Sequence, residues 1–228
     1  MSAAALSDTA LNSPVLGQPA VDCGLCPRLA DFRRANCAAH PHFFNAPVPS
    51  IGNTQAELLL VGLAPGLRGA NRTGRPFTGD QAGALLYQTL IRYGFAEGNY
   101  AGEADDGVIL RNCRITNAVR CAPPVNLPEP GEVGNCNQFL QAELAEMPRL
   151  RVALALGALA HAALLKACGI PPSRIRFQHG KIHRLPDGLL LADSYHVSRY
   201  NTNTGRLSEA MFEEIMAAIV HELHKDAD

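Results

Sequence analysis

The sequence contains no long hydrophobic run and almost no net charge, and each of these absences argues against a class of protein. No segment approaches the ~18 uninterrupted apolar residues that indicate a membrane-spanning helix. The formal net charge is −1, so the overall charge does not indicate a nucleic-acid partner. We therefore expect no membrane association, and DNA binding would require positive charge concentrated on one face.

The amino terminus also lacks the basic and apolar regions of a secretory signal peptide. We interpret residues 1–20 as a flexible tail and predict a cytoplasmic protein. In that compartment the seven cysteines are expected to be ligands or buried thiols rather than disulfides. Because there are no internal repeats, we assign residues 21–228 to a single domain and expect a monomer.

Short apolar runs alternate with helical patterns along the chain. We predict strands at about 57–62, 114–120, 152–156, 181–185 and 189–192, and helices from about 80, 132, 158 and 207. Such alternation is typical of a mostly parallel sheet with helices on both faces. The predicted fold class is therefore α/β, a three-layer α/β/α sandwich.

The longest predicted strand–helix connection runs from residue 62 to 80 and leaves the most apolar strand. Connections of this kind usually take about 2–6 residues. Its five glycines allow a ligand to approach the main chain, and Arg68, Arg72 and Arg75 against Asp80 give a local charge of about +2. Open α/β sheets bind ligands at the carboxyl ends of their strands, so we predict a site for a phosphate-bearing ligand here.

Four cysteines have spacings that suit a metal centre. Cys23 and Cys26 form a C-x2-C pair, Cys121 ends a predicted strand, and Cys136 lies in the first turn of a predicted helix. Four thiolates suit either an iron–sulfur cluster or tetrahedral zinc, and the spacing leaves that choice open. We interpret the other three, Cys37, Cys113 and Cys168, as buried apolar thiols.

Three sequence blocks resemble the uracil-DNA glycosylase superfamily, and within it the fifth, b-type family of bacterial and archaeal enzymes. The blocks are Gly62-Leu-Ala-Pro-Gly with Gly69-x-Asn71-Arg-Thr-Gly-Arg-x-Phe77-Thr-Gly-Asp80, then Ile115-Thr-Asn-Ala-Val-Arg-Cys121-Ala-Pro-Pro, and His196-Val-Ser198 leading into Asn201-Thr-x-Thr-Gly-Arg206-Leu. The cysteine pattern is also similar to that of the iron–sulfur-containing members.

The resemblance implies a four-stranded parallel sheet and excision of uracil, with other deaminated bases, from double- or single-stranded DNA. It also implies a structural [4Fe–4S] cluster on the four cysteines, with zinc as the less favoured occupant. The implied substrate-binding residues are Gly62, Leu63, Ala64, Pro65, Gly66, Asn71, Phe77 and Ser198.

The chemistry of base excision suggests roles for particular residues. A flipped base would stack on Phe77, and His196 would donate a hydrogen bond to the base carbonyl as negative charge develops there. Asp80 and Asn117 are both candidates to hold the attacking water. We assign DNA contacts to Arg72, Arg75, Arg199 and Tyr200, with Tyr200 filling the space that the flipped base leaves.

The sequence departs from the wider superfamily at two places. Leu63 and Ala64 occupy positions where other families carry a polar residue that holds the water, and Val197 replaces a proline. The apolar pair makes a non-catalytic nucleic-acid-binding protein the alternative function. A phosphohydrolase is disfavoured because neither a P-loop lysine pattern nor a carboxylate cluster for Mg²⁺ is present.

Overall fold

The computed structural model describes residues 17–79 and 82–225, and its centre is a twisted six-stranded sheet. Along the described chain the strands are β1 (Ile51–Gly52), β2 (Leu58–Gly62), β3 (Ala96–Glu97), β4 (Ile109–Leu110), β5 (Cys113–Asn117), β6 (Val152–Leu156), β7 (Ile182–Arg184) and β8 (Leu190–Ser194). The spatial order in the sheet is β1-β5-β2-β6-β8-β7, while β3 and β4 form a separate two-stranded ribbon.

Helices cover both faces of this sheet, as the alternation predicted. They are α1 (Pro27–Ala39), α2 (Ala70–Thr73), α3 (Ala82–Arg92), α4 (Pro130–Ala145), α5 (Ala158–Ala167), α6 (Arg199–Asn203) and α7 (Glu209–His224). The helices α3 and α7 pack together on one face, and α4 and α5 pack together on the other. The three-layer α/β/α fold class is therefore confirmed.

The four inner strands are parallel, but the sheet has two more strands than the resemblance implied. β1 pairs with β5 and β7 pairs with β8, both in the antiparallel sense. The turn Pro186-Asp187-Gly188 returns the chain directly from β7 to β8, and such a short connection can join only antiparallel strands. β1 is two residues long and lies in a part of the chain for which the sequence analysis predicted no strand.

Apolar side chains alternate between the two faces of the inner strands. Leu60 of β2 and Leu154 of β6 face α3 and α7, whereas Val61 and Ala155 face α4 and α5. All four are completely buried, which explains why the inner strands read as continuous apolar runs rather than alternating ones. A fully buried leucine contributes about 1.5–3 kcal/mol of transfer free energy.

A buried ion network fastens β5 to α4 close to the end of the strand. Glu143 of α4 accepts hydrogen bonds from Arg114 at 2.7 Å and from Arg120 at 2.5 Å, and all three side chains are at most 8% exposed. Arg120 also donates to Ser50. The network fixes the segment between Asn117 and Cys121, which carries two of the predicted functional groups.

Local capping explains where several helices begin. Glu129 and Glu132 form a reciprocal capping box at α4, whose first residue is Pro130. Ser198 and Ser208 cap α6 and α7 by accepting from the backbone N–H groups three residues later. Among the described residues, no helix combines the length and the apolar character needed to cross a membrane. The first sixteen residues of the predicted tail lie outside the described part of the chain.

Candidate active site

The loops that follow β2, β5, β6 and β8 enclose one open cavity of about 870 Å³ at the carboxyl edge of the parallel strands. Phe77, Asn117 and His196 all line it, so the structure brings the three central predicted residues together. Of the other predicted substrate-binding residues, the cavity is lined by Leu63, Ala64, Pro65, Gly66 and Ser198. Its volume lies within the range of about 300–1,000 Å³ that is usual for small-molecule sites.

Gly62 is the position at which the first loop leaves the sheet, and it has no space for a side chain. In the sheet register Gly62 lies beside Asn117. A Cβ atom at Gly62 would overlap Oδ1 of Asn117 and would come within 2.7 Å of Cζ of Phe77. Because Gly62 has no side chain, the Asn117 amide and the Phe77 ring can approach each other where they line the cavity.

Phe77 is held in a left-handed backbone conformation, with φ at 55°. Such a conformation is rare for an aromatic residue and persists only where the surrounding structure imposes it. Here the hydroxyl of Tyr100 donates to the Phe77 carbonyl at 3.0 Å. Phe77 is 8% exposed. Its side chain packs in the hydrophobic core and also lines the cavity.

His196 lies two residues after the end of β8 and faces Phe77, with the two ring centroids 6.0 Å apart. Desolvation lowers the pKa of His196 to about 4, so the imidazole is neutral at physiological pH and carries one N–H group. Its backbone is fixed because the Asn201 side chain donates to the His196 carbonyl at 2.8 Å. The ring can therefore donate a hydrogen bond to a ligand without carrying charge.

Tyr195, the residue before His196, is held in place by His179 and Arg206. Its backbone N–H donates to Nδ1 of His179 at 3.0 Å, and the two rings stack at 4.4 Å. The guanidinium of Arg206 lies 4.7 Å from the centroid of the same ring. Arg206 and Asn201 belong to the third sequence block, so the sequence offered a signal for them. His179 lies outside all three blocks, and the sequence analysis missed it.

The arginines predicted near the cavity differ in exposure and in whether a carboxylate already pairs with them. Arg68 is exposed at the cavity, and Arg199 lines it from the side of α6. Arg72 is partly exposed and paired with Glu103 at 3.1 Å. Arg75, which we predicted to contact DNA, is instead buried against Asp106 at 2.6 Å with its guanidinium over the Tyr87 ring.

The role of Arg75 is therefore corrected from phosphate contact to support of the loop, because its charge is already neutralised by a fully buried carboxylate. Asn71 is corrected in the same way. It is 3% exposed, does not line the cavity, and donates to the Asn45 side chain at 2.9 Å, which ties the glycine loop to residues 40–48. Asp80 lies outside the described residues.

Other cavity-lining residues were missed by the sequence reasoning. Asn126 comes from the proline-rich segment after Cys121, and a further group follows β6: Leu156, Gly157, Ala158 and Leu159. The signal for the second group was the strand followed by Gly157, whose positive φ of 104° turns the chain sharply into α5. Carboxyl ends of neighbouring parallel strands meet at one edge, so that loop had to contribute.

The four predicted metal ligands also converge, at a second place next to α1 and α4. Cys23, Cys26, Cys121 and Cys136 line one small cavity beneath Arg33. Three of their sulfur atoms accept hydrogen bonds, from Arg33 at 3.4 Å, from the Arg120 backbone N–H at 3.4 Å and from Asn135 at 3.7 Å.

The chemistry of this donor set suits a metal group. Four cysteine thiols lie around one cavity, and N–H groups donate to three of their sulfur atoms. Such a set could hold either an iron–sulfur cluster or a tetrahedral zinc ion.

His161, His183 and Asp193 do lie close enough to hold an ion, but hydrogen bonds inside the protein already use them. Asp193 accepts from His161 at 2.7 Å and from His183 at 3.1 Å, and the other nitrogen of His161 contacts the Ile175 carbonyl at 2.9 Å. Burial opposes the charged form of His161, yet these hydrogen bonds raise its pKa. We interpret the group as an internal ion pair.

Comparison of the chain with known proteins identifies the family to which it belongs. The family described as the uracil DNA glycosylase superfamily matches residues 49–220. The type-5 uracil-DNA glycosylase of Thermus thermophilus is 45% identical over 199 residues, covering 85% of this chain and 90% of the relative. The type-5 uracil-DNA glycosylase of Mycobacterium leprae is 40% identical over 218 residues, covering 92% and 95%.

A type-4 uracil-DNA glycosylase from Archaeoglobus fulgidus is more distant, with 33% identity over 139 residues that cover 60% of this chain and 62% of the relative. The two type-5 matches cover 85% and 92% of this chain, whereas this type-4 match covers 60%. Together with the four loops that enclose the cavity, these matches show that the chain belongs to the uracil-DNA glycosylase superfamily and, within it, to the type-5 enzymes.

Proposed function

We propose that this protein is a monofunctional DNA glycosylase that hydrolyses the N-glycosidic bond of uracil in DNA and leaves an abasic site. The observation that carries the proposal is the convergence of Phe77, Asn117 and His196 on one cavity. An aromatic face, an amide and a neutral imidazole are the groups that a flipped pyrimidine needs for stacking, edge recognition and stabilisation of its leaving charge.

The proposed reaction begins with a uracil that is rotated out of the duplex at a cost of a few kcal/mol. The base stacks on Phe77, and such stacking contributes about 1–3 kcal/mol. As the bond from the sugar to the base breaks, electrons move onto the base, and the His196 N–H donates to the carbonyl oxygen where the charge accumulates. Water then adds to the sugar carbon and loses its proton to solvent or to the departing base.

Asn117 is the group we propose to orient this water or the uracil edge. Its side chain is 4% exposed and lies against the cavity, with an amide that offers both a donor and an acceptor. Leu63 and Ala64 supply only apolar surface there, so they exclude solvent rather than hold the water. Asp80 remains a predicted alternative for the water.

The exposed side chains around the cavity suit a DNA strand. Arg68 and Arg199 place two positive charges at the mouth, next to the backbone N–H groups of the glycine loop. Tyr200 follows Arg199 and is 73% exposed, as expected for a residue that enters the space left by the flipped base.

We expect Tyr200→Ala to slow excision from duplex DNA by about tenfold while single-stranded uracil is processed at the wild-type rate, because only a duplex has a gap to fill. Single-turnover rates on matched single- and double-stranded oligonucleotides measure the difference. The control is Ile109→Ala, the same kind of truncation at an exposed apolar residue of the small β ribbon. Equal slowing on both substrates would remove the wedge role.

We also propose that Cys23, Cys26, Cys121 and Cys136 hold a structural [4Fe–4S] cluster. The support comes from their common cavity and from the N–H groups that donate to three of the sulfur atoms. Thiolates bound to iron accept such hydrogen bonds. The cluster would join the amino-terminal segment to β5 and α4 and supply no step of the hydrolysis.

Purified protein is expected to be brown, to absorb near 400 nm, and to contain about four irons per chain. Cys136→Ser should lose the colour and most of the iron, because a buried ligand is removed. Cys37→Ser should retain both, because Cys37 is exposed and not a buried thiol as the sequence analysis predicted. Colourless protein with one zinc per chain would assign these cysteines to the less favoured metal instead.

The alternative function is a protein that binds uracil-containing DNA without cleaving it, and the observation in its favour is the apolar pair Leu63 and Ala64 in the cavity wall. Incubation with a uracil-containing oligonucleotide followed by alkali separates the two. Strand breaks that appear only after alkali support a monofunctional glycosylase, and breaks before alkali indicate lyase activity. Intact DNA supports the binding protein. A monomeric state, a cytoplasmic location and activity on further deaminated bases complete the proposal.

A further inference from the structure

Val125 is the most conspicuous exposed apolar residue near the cavity. Its side chain is 89% exposed, and its backbone has φ 50° and ψ 25°. A β-branched residue in the left-handed region is a steric outlier, because its branched Cβ crowds the backbone. Both features cost free energy in the isolated protein, so the surrounding segment must impose them.

The segment around Val125 is rigid. Pro123 and Pro124 restrict the chain before it, and the backbone N–H groups of Asn126 and Leu127 donate to the carbonyls of these two prolines at 3.2 Å. Hydrogen bonds on both sides of Val125 therefore close a tight turn that holds the valine at its tip.

A second anchor lies behind this turn. Arg28 donates to the Leu127 carbonyl at 3.3 Å, and the same guanidinium is bound by Glu132 at 2.8 and 2.7 Å. Glu132 in turn accepts from the Glu129 backbone at the start of α4. A tip fixed in this way is preorganised for insertion, because little further ordering is needed on binding.

The turn lies at the cavity and not elsewhere on the surface. Asn126, the residue after Val125, lines the cavity together with Arg199, the residue before Tyr200. Two exposed side chains with apolar surface therefore adjoin one opening, each one residue away from a cavity wall. They come from different loops, one after β5 and one after β8.

We infer that Val125 is a second wedge, which inserts into the base stack of duplex DNA beside the flipped nucleotide. The inference rests on the proposed function, since it requires a duplex from which a base is extruded. An apolar side chain that enters between base steps replaces lost stacking contacts and keeps the duplex kinked. The apolar side chain of Val125, which is 89% exposed in the free protein, is then buried in the complex.

The test uses three variants of the full chain. Val125→Ala removes the apolar tip, Val125→Asn keeps a similar size and accepts the left-handed backbone readily, and Val21→Ala is the control at another exposed valine that does not line the cavity. Duplex oligonucleotides carry uracil with 2-aminopurine at the adjacent position, whose fluorescence rises when stacking is lost.

Both Val125 variants are expected to slow duplex excision by about tenfold and to reduce the fluorescence rise, with single-stranded excision unchanged. The urea midpoint of Val125→Asn should equal or exceed that of the wild type, which shows that the loss does not come from unfolding. Val21→Ala should match the wild type throughout.

Two outcomes oppose the inference and are distinguishable from failure of the proposed function. Wild-type protein that excises uracil, with Val125 variants equal to it on duplex DNA, overturns the wedge and leaves the glycosylase assignment intact. Variants slowed equally on single strands also overturn it. Wild-type protein that excises from neither substrate overturns the proposed function itself.

Discussion

Replacement of His196 by alanine is expected to lower the single-turnover rate of uracil excision by about 10²–10³-fold, the usual effect of removing one donor from a developing anion. Duplex binding should remain close to that of the wild type, because the contact we propose for His196 is with the base and not with the phosphates. Gel-shift measurements on a duplex and rapid-quench rates at saturating protein test both statements. His183→Ala, a change at a histidine outside the cavity, is the matched control.

The same residue predicts a pH dependence. The pKa of His196 is lowered from 6.5 to about 4 by desolvation, so the ring stays neutral above about pH 4 and its protonation should leave no inflection near pH 6.5 in the pH–rate profile of excision. In the unfolded chain the ring binds its proton near pH 6.5. Protonation therefore favours the unfolded state as the pH falls from 6.5 to about 4, and His196→Ala should remove that component of the acid destabilisation.

Two results would contradict this role of His196. If His196→Ala excised uracil at the wild-type rate, the imidazole would not be the donor. If the variant no longer unfolded cooperatively in urea, His196 would be a core residue whose loss of packing explains the lost activity.

The second large effect is expected from Gly62→Ala, which should lower excision by about 10²-fold while the protein stays folded. The added methyl group would overlap Oδ1 of Asn117 and come within 2.7 Å of the Phe77 ring. Neither group can yield freely, because Asn117 is in the sheet and Phe77 has a constrained backbone. A displacement of about 1 Å in an active site can cost about 10²-fold in rate.

Gly131→Ala is the matched control for this change, because the Cβ position at Gly131 in α4 meets nothing within 4 Å. It should leave the excision rate unchanged and raise stability slightly, since alanine is the better helix former. Circular dichroism and urea unfolding of both variants separate misplaced site groups from a damaged sheet. Wild-type activity of Gly62→Ala would show that Asn117 and Phe77 can move without consequence, and it would weaken both assigned roles.

The sequence predicted the inner sheet well because burial on both faces leaves a local signal. β2 and β6 are short apolar runs that no loop would carry, and the helices between them follow helical periodicity. Of the two edge strands, β7 was predicted, at about 181–185, whereas β1 was not. β1 is only two residues long, and its pairing with β5 depends on a segment more than sixty residues away.

The candidate site divides in the same way. Phe77, Asn117 and His196 were predicted from their sequence blocks, and all three line the cavity. Arg75 and Asn71 stand in the same blocks, but the structure buries them against Asp106 and Asn45. A charge or an amide in a loop looks the same in sequence whether it faces a ligand or a partner inside the protein.

By itself, the sequence determined the fold class, the family and the three blocks, because apolar periodicity and block spacing are local properties. Only the tertiary structure decided which residues of each loop reach the cavity, since that depends on partners far along the chain such as Asp106, Asn45 and Arg28. The exposed tip at Val125 likewise exists only because distant anchors hold an unfavourable backbone in place.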